Sequence, residues 1–197
     1  MRHPERTAAL AGIVGPVAFV GAWVAGAAIT SRDHSPLVDP IGRLAAVGVD
    51  TRGLMTAGLV VFGVAMLVHA SSLRRAVEGP AWAAAALSGL ATLGVAATPL
   101  DRSDAVDSWH GVAAAAGYLA LAATPLLAAR PLLARGHIVL GRLAIGAGVV
   151  SAVSLALTVL DLPTGLFQRM GLTATDLWIV ASAVAIATGR VSRPAGR

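Results

Sequence analysis

The sequence predicts an all-α polytopic membrane protein: a six-transmembrane-helix bundle with both ends in the cytoplasm. Three observations predict it. Six long apolar stretches, each bounded by charge, fill almost all of the 197 residues. Hydrophobic residues make up 56% and charged residues 13%, whereas a soluble domain carries roughly 25% charged residues. The arginines sit at the ends of the apolar stretches, where orientation signals belong.

The spans are expected at about 7–30, 53–73, 79–100, 111–129, 141–160 and 172–190, in one domain covering 1–197. A spanning helix needs about 20 apolar residues. Backbone groups in hydrocarbon find no water, so each span must bond within itself as a helix. Barrel strands would instead read as alternating segments of about ten residues, and none are present.

The first span has a basic start, and Ala25-Gly26-Ala27 resembles a signal cleavage site. Its apolar core is longer than the roughly 7 to 15 residues of a signal peptide, which favours a retained helix. Pro16 in this span and Pro125 in the fourth should kink their helices. The second span holds His69, a functional candidate by its depth alone. The plainer expectation is a neutral imidazole bonded to a neighbouring helix. The third span is free of charge. Small-xxx-small spacings at Gly21/Ala25, Ala113/Gly117, Ala144/Gly148 and Gly148/Ala152 predict tight helix packing. The sixth span carries Asp176 near its expected start, where an interfacial acid would complement the helix dipole.

Placing the N-terminus in the cytoplasm puts ten arginines inside (Arg2, Arg6, Arg74, Arg75, Arg130, Arg135, Arg142, Arg190, Arg193, Arg197) and five outside (Arg32, Arg43, Arg52, Arg102, Arg169). That is the asymmetry of the positive-inside rule, and it implies the cytoplasmic membrane. Trp82, Trp109 and Trp178 are expected at the two interfaces as an aromatic belt.

Composition excludes several chemistries. With no cysteine there is no disulfide, thiolate metal site or cysteine nucleophile. All 15 basic residues are arginine, so Schiff-base chemistry and a phosphate-loop lysine are excluded. The net charge of +5 does not indicate a nucleic-acid partner, because the arginines serve the span ends. No GxSxG, Gly-rich phosphate loop, dinucleotide fingerprint or Asp-rich DDxxD run is present.

The long outer loop, 31–52, is stiffened by Pro36 and Pro40. Ile41, Leu44, Ala45 and Val49 have helical spacing, so a short amphipathic helix is expected there, with Arg43 pointing away from its apolar stripe. The other outer loops bring Asp101, Asp104, Asp107, Trp109 and His110, then Asp161, Gln168 and Arg169, to the same membrane face.

These loops also carry a resemblance. His34-Ser-Pro-Leu-Val-Asp-Pro-Ile-Gly-Arg-Leu-Ala-Ala, followed by Gly53-Leu-Met-Thr-Ala-Gly-Leu-Val-Val-Phe-Gly, resembles the signature of the bacterial and archaeal membrane family called domain of unknown function 998. Pro99-Leu-Asp101 before Trp109-His110, and Gly165-Leu-Phe-Gln-Arg169 leading to Trp178, are similar to its later motifs. The resemblance implies a six-helix integral membrane domain and no particular activity. Similar proteins often have Ile-Ser where this chain has Ile41-Gly42, so no role of that serine carries over.

Several readings of the outer cluster stay open. The plainest makes Asp101, Asp104 and Asp107 a solvated loop, with Arg43 and Arg169 pairing locally with acids. A second is a metal-dependent membrane hydrolase using His34, Asp101, Asp104, Asp107 and His110, but no HExxH or HxxxH pair supports it. The spacing predicts neither a metal site nor a cofactor. The reading taken forward is a site for a lipid or small amphiphile at the extracytoplasmic mouth. Its candidate residues are His34, Arg43, Asp101, His110, Gln168 and Arg169. A small transporter, dependent on His69, is the further alternative, and the partners expected are membrane lipids.

Overall fold

Long alanine-, leucine- and valine-rich runs form six helices: α1 (His3–Ile29), α2 (Arg52–Ala76), α3 (Ala81–Ala97), α4 (Asp104–Ala134), α5 (Ile138–Leu157) and α6 (Thr164–Ala187). The computed structural model describes residues 3–160 and 162–192, with side chains from residue 6. Arg2, Asp161, Arg193 and Arg197 lie outside these, as does the Glu5 side chain. Five helices are long and apolar enough to cross a membrane; α3, at 17 residues, is the short one. This is a multi-pass membrane architecture. Among the described residues there is no strand.

Each helix packs against the next, and α6 returns to α1, so the six close into a ring. Backbone bonds mark one face: Val47 N–H donates to Leu100 O (2.9 Å) and Gly165 N–H to Val38 O (3.1 Å). At the opposite face Arg135 donates to Ala76 O (3.1 Å) and also to Ser192 O. The first is called the loop face below.

Small residues let the helices touch. A Cβ added at Gly63 would lie 2.9 Å from Gly89 O, and one at Gly89 would lie 2.7 Å from Gly63 O, so α2 and α3 meet backbone to backbone. Gly148 is pressed against Leu126 of α4, whereas Gly21 faces open space. Pro16 and Pro125 lie inside helices as expected, and so does Pro131.

Four expectations are corrected. Helix α6 begins at Thr164 instead of near 172, and spans 24 residues. Its first two turns carry Gln168 and Arg169, which lower the local hydropathy yet face the bundle interior. Asp176 is therefore no interfacial first-turn acid: it lies mid-helix, 3% exposed. Trp178 is likewise buried, its Nε1–H donating to Leu140 O at 3.3 Å, while Trp109 and Trp82 are exposed as belt residues should be.

Helix α4 starts at Asp104, seven residues before its expected span, because Ser103 caps it by accepting from Val106 N–H (3.4 Å). Asp104 and Asp107 become first-turn acids aligned with the helix dipole.

Deep between α2 and α6, His69 is fully buried. Its Nδ1 lies 3.2 Å from Ser72 Oγ and its Nε2 3.5 Å from Ser182 Oγ of α6. The expected bond to a neighbouring helix is present.

Candidate functional site

Residues 41–45 form a short 3-10 turn at the loop face. Ile41, Leu44 and Ala45 are buried and Arg43 is exposed, the amphipathic arrangement that the spacing predicted. The turn acts as a wall between two hollows. Ile41 and Gly42 line the larger, and Arg43 and Leu44 the smaller.

The larger hollow has a volume of about 270 Å³, near the lower end for small-molecule sites. Its body is apolar, with Phe19 from α1, Met55, Leu59 and Phe62 from α2, Leu121 from α4 and Leu172 from α6. Its polar groups include His110, Tyr118 and Gln168.

Hydrogen bonds fix the orientation of these groups. The C-terminal carbonyls of α3 lack helical partners. His110 supplies one: its ring Nδ1 lies 2.6 Å from Thr98 O. A carbonyl can only accept, so Nδ1 carries the proton and Nε2 of the neutral ring is an acceptor. A Cβ added at Gly42 would lie 3.0 Å from that Nε2, so the glycine gives the ring its room.

Gln168 Oε1 accepts from Ile41 N–H at 2.6 Å. Its Nε2 therefore donates to the Tyr118 hydroxyl. The Tyr118 oxygen is thus an acceptor toward Gln168, and its own O–H proton is left with no acceptor among the described residues.

Arg169 does different work. Its Nη1 donates to Pro36 O (2.7 Å), Asp39 O (2.9 Å) and Gly165 O (3.0 Å), and Nη2 donates to His34 Nε2 (3.2 Å). The guanidinium sits 5.3 Å from the Trp23 ring centroid. Arg169 thus clamps the 34–40 segment onto α6. Gly165 permits the contact, since a Cβ there would fall 2.5 Å from Asp39 O. The same segment caps α6: Leu166 N–H donates to Leu37 O at 2.8 Å.

The smaller hollow, about 140 Å³, mixes charged and apolar side chains. His34, Asp39, Arg43 and Asp101 are among its lining. Arg43 and Asp101 form an exposed 2.8 Å ion pair across it. Asp101 has a φ of 64°, a left-handed conformation that Asp tolerates better than most residues. Its N–H donates to Asp107 Oδ1 at 3.0 Å. His34 Nδ1 lies 3.8 Å from Asp39 Oδ2. Burial and then the nearby Arg169 hold the His34 pKa below its usual value, against the opposing pull of Asp39. The backbone N–H of Ser31, 2.8 Å from Asp50 Oδ2, holds the Asp50 carboxyl below its usual range.

The six sequence-derived candidates thus divide. His110 and Gln168 meet at the larger hollow, His34, Arg43 and Asp101 at the smaller, and Arg169 braces the segment between them. The arginines are engaged with Asp101 and with backbone carbonyls, which is the local ordering of the plainest reading, except that Arg169 bonds to carbonyls and His34 instead of an acid. Among the described residues no three His, Asp or Glu side chains gather as a metal-binding set.

Sequence reasoning missed Tyr118. The signal was present, since it is the chain's one tyrosine and it falls inside an otherwise apolar span. It also missed that Asp176 is buried with neither carboxyl oxygen bonded.

The profile of the family described as "Protein of unknown function (DUF998)" matches residues 13–185. No curated protein and no solved structure matches the chain.

Proposed function

The chain belongs to the DUF998 family, and from that premise we propose that it is a binding protein for a lipid or small amphiphile, held at its extracytoplasmic mouth. The observation that carries the reading is the 270 Å³ cavity below the 3-10 turn, lined mostly by apolar side chains with a few polar groups among them. That lining suits a molecule with a large apolar part and a small polar one. Six spans, cytoplasmic ends and a place in the cytoplasmic membrane complete the proposal. Their support is the arginine asymmetry and the position of α3 in the ring between α2 and α4.

The test is native mass spectrometry of the full chain gently extracted from its membrane. A discrete adduct is expected, and Ala114→Trp, which fills the cavity, should remove it. An adduct indifferent to that change would place the ligand elsewhere.

A second reading is coupled transport. Asp176 favours it, because an unpaired carboxyl buried at mid-span is costly unless it carries a proton or cation in service of a cycle. Uptake by vesicles that is lost in Asp176→Asn, while Ala114→Trp stays active, would favour this reading over binding.

A further inference from the structure

We infer that the amphiphile is uncharged and bears a hydroxyl head, read by His110 Nε2 and the Tyr118 hydroxyl. The inference rests on the binding reading above and adds the chemistry of the head group. Two facts carry it.

The first is the absence of charge. No arginine, aspartate or glutamate lines the cavity. Arg43 is paired with Asp101 on the far side of the turn, and the two Nη groups of Arg169, which is outside the cavity lining, are engaged by three carbonyls and His34. A phosphate, carboxylate or ammonium head would meet no counter-charge in the cavity lining, which makes its burial costly.

The second is the polarity of two hydrogen-bonding positions in the lining. His110 Nε2 is an acceptor because Nδ1–H is committed to Thr98 O. Tyr118 offers a proton because its oxygen accepts from Gln168, whose own orientation is fixed by Ile41 N–H. Both groups line the same cavity: His110 Nε2 abuts Gly42 of the turn, and Tyr118 is held by Gln168, whose other end binds Ile41 N–H. The cavity therefore presents one acceptor and one donor. A hydroxyl group both donates and accepts, so an alcohol or glycerol head satisfies the pair. A carboxylate or phosphate, which only accepts, would set its lone pairs against Nε2. An ester without a hydroxyl could take the Tyr118 proton and would leave Nε2 unmet.

The experiment measures binding of radiolabelled 1-decanoylglycerol to the full chain in nanodiscs, with empty nanodiscs subtracted. Competitors are unlabelled 1-decanoylglycerol, decanoate and methyl decanoate. We expect 1-decanoylglycerol to compete roughly tenfold better than either, the difference of about one neutral hydrogen bond. Tyr118→Phe keeps the ring and removes a bond that both esters can accept, so it should weaken 1-decanoylglycerol and methyl decanoate alike and leave the advantage that His110 Nε2 supplies. His110→Gln serves as the second variant, since it keeps an acceptor and should retain part of the preference. Thermal melts show that each variant is folded.

Binding that Ala114→Trp abolishes, but in which all three compete equally or decanoate wins, overturns the head-group inference and leaves the binding reading intact. No saturable binding of any of the three, together with native adducts that survive Ala114→Trp, overturns both.

Discussion

Gly12 of α1 lies flat against the imidazole of His69 on α2: a Cβ added at position 12 would stand 2.6 Å from Nδ1 and 2.8 Å from Cε1. The ring is fully buried and held between Ser72 and Ser182, so it has nowhere to retreat.

Gly12→Ala should therefore overpack the α1–α2 contact and cost about 1–3 kcal/mol. Thermal unfolding in detergent reads this as a lowered Tm. Adding His69→Ala opens the space, so the double variant should lose less than the sum of the two single losses. Strict additivity would show that the two positions do not press on each other.

The two outer arginines should behave differently. Arg43→Ala breaks an exposed pair and should cost under about 1 kcal/mol. Arg169→Ala leaves three backbone carbonyls and His34 without their donor, and should cost about 3 kcal/mol or more. Tm and the rate of proteolysis within residues 31–51 check both. Equal effects would mean that the clamp does not hold the segment.

The outer segment should loosen in mild acid. His34 Nε2 accepts from Arg169, so protonating it would turn donor against donor. Its folded pKa accordingly lies below the ordinary 6.5. The sign follows: the unfolded chain takes up the proton first, so His34's contribution is full above pH 6.5 and is lost as pH falls through the folded value. Asp50, also depressed, acts in the same direction lower on the scale, as pH drops below the ordinary carboxylate value of 3.8. Proteolysis of the 31–51 segment should accelerate below pH 6.5 in the parent chain and change less in His34→Gln.

Asp176→Asn removes the ionisable group at nearly constant volume. Both carboxyl oxygens of Asp176 are unbonded, so Tm should stay level or rise. A fall of several degrees would reveal a partner that the carboxylate needs. A stable variant that loses transport would mark Asp176 as a functional group kept at the expense of stability.

The sequence by itself determined the solvent, the helices and the family. Segments such as 53–73 and 141–160 are predominantly apolar over a membrane-spanning length, and in lipid such a run has one outcome, because its backbone can bond only within itself. The amphipathic turn at Ile41–Ala45 was equally legible from the spacing of Ile41, Leu44 and Ala45. Where α6 begins was not legible, and neither were the depths of Asp176 and Trp178 or the role of Tyr118. Hydropathy measures what a residue prefers, averaged over a window. It cannot tell a polar side chain at the water boundary from one turned inward and satisfied by another helix. Only the closure of the ring decided that Arg169 faces loop carbonyls, that Gln168 joins Ile41 to Tyr118, and that His110 turns its free nitrogen toward Gly42. Those contacts join residues about 50 to 130 positions apart in the chain, and nothing in local spacing encodes which of them meet.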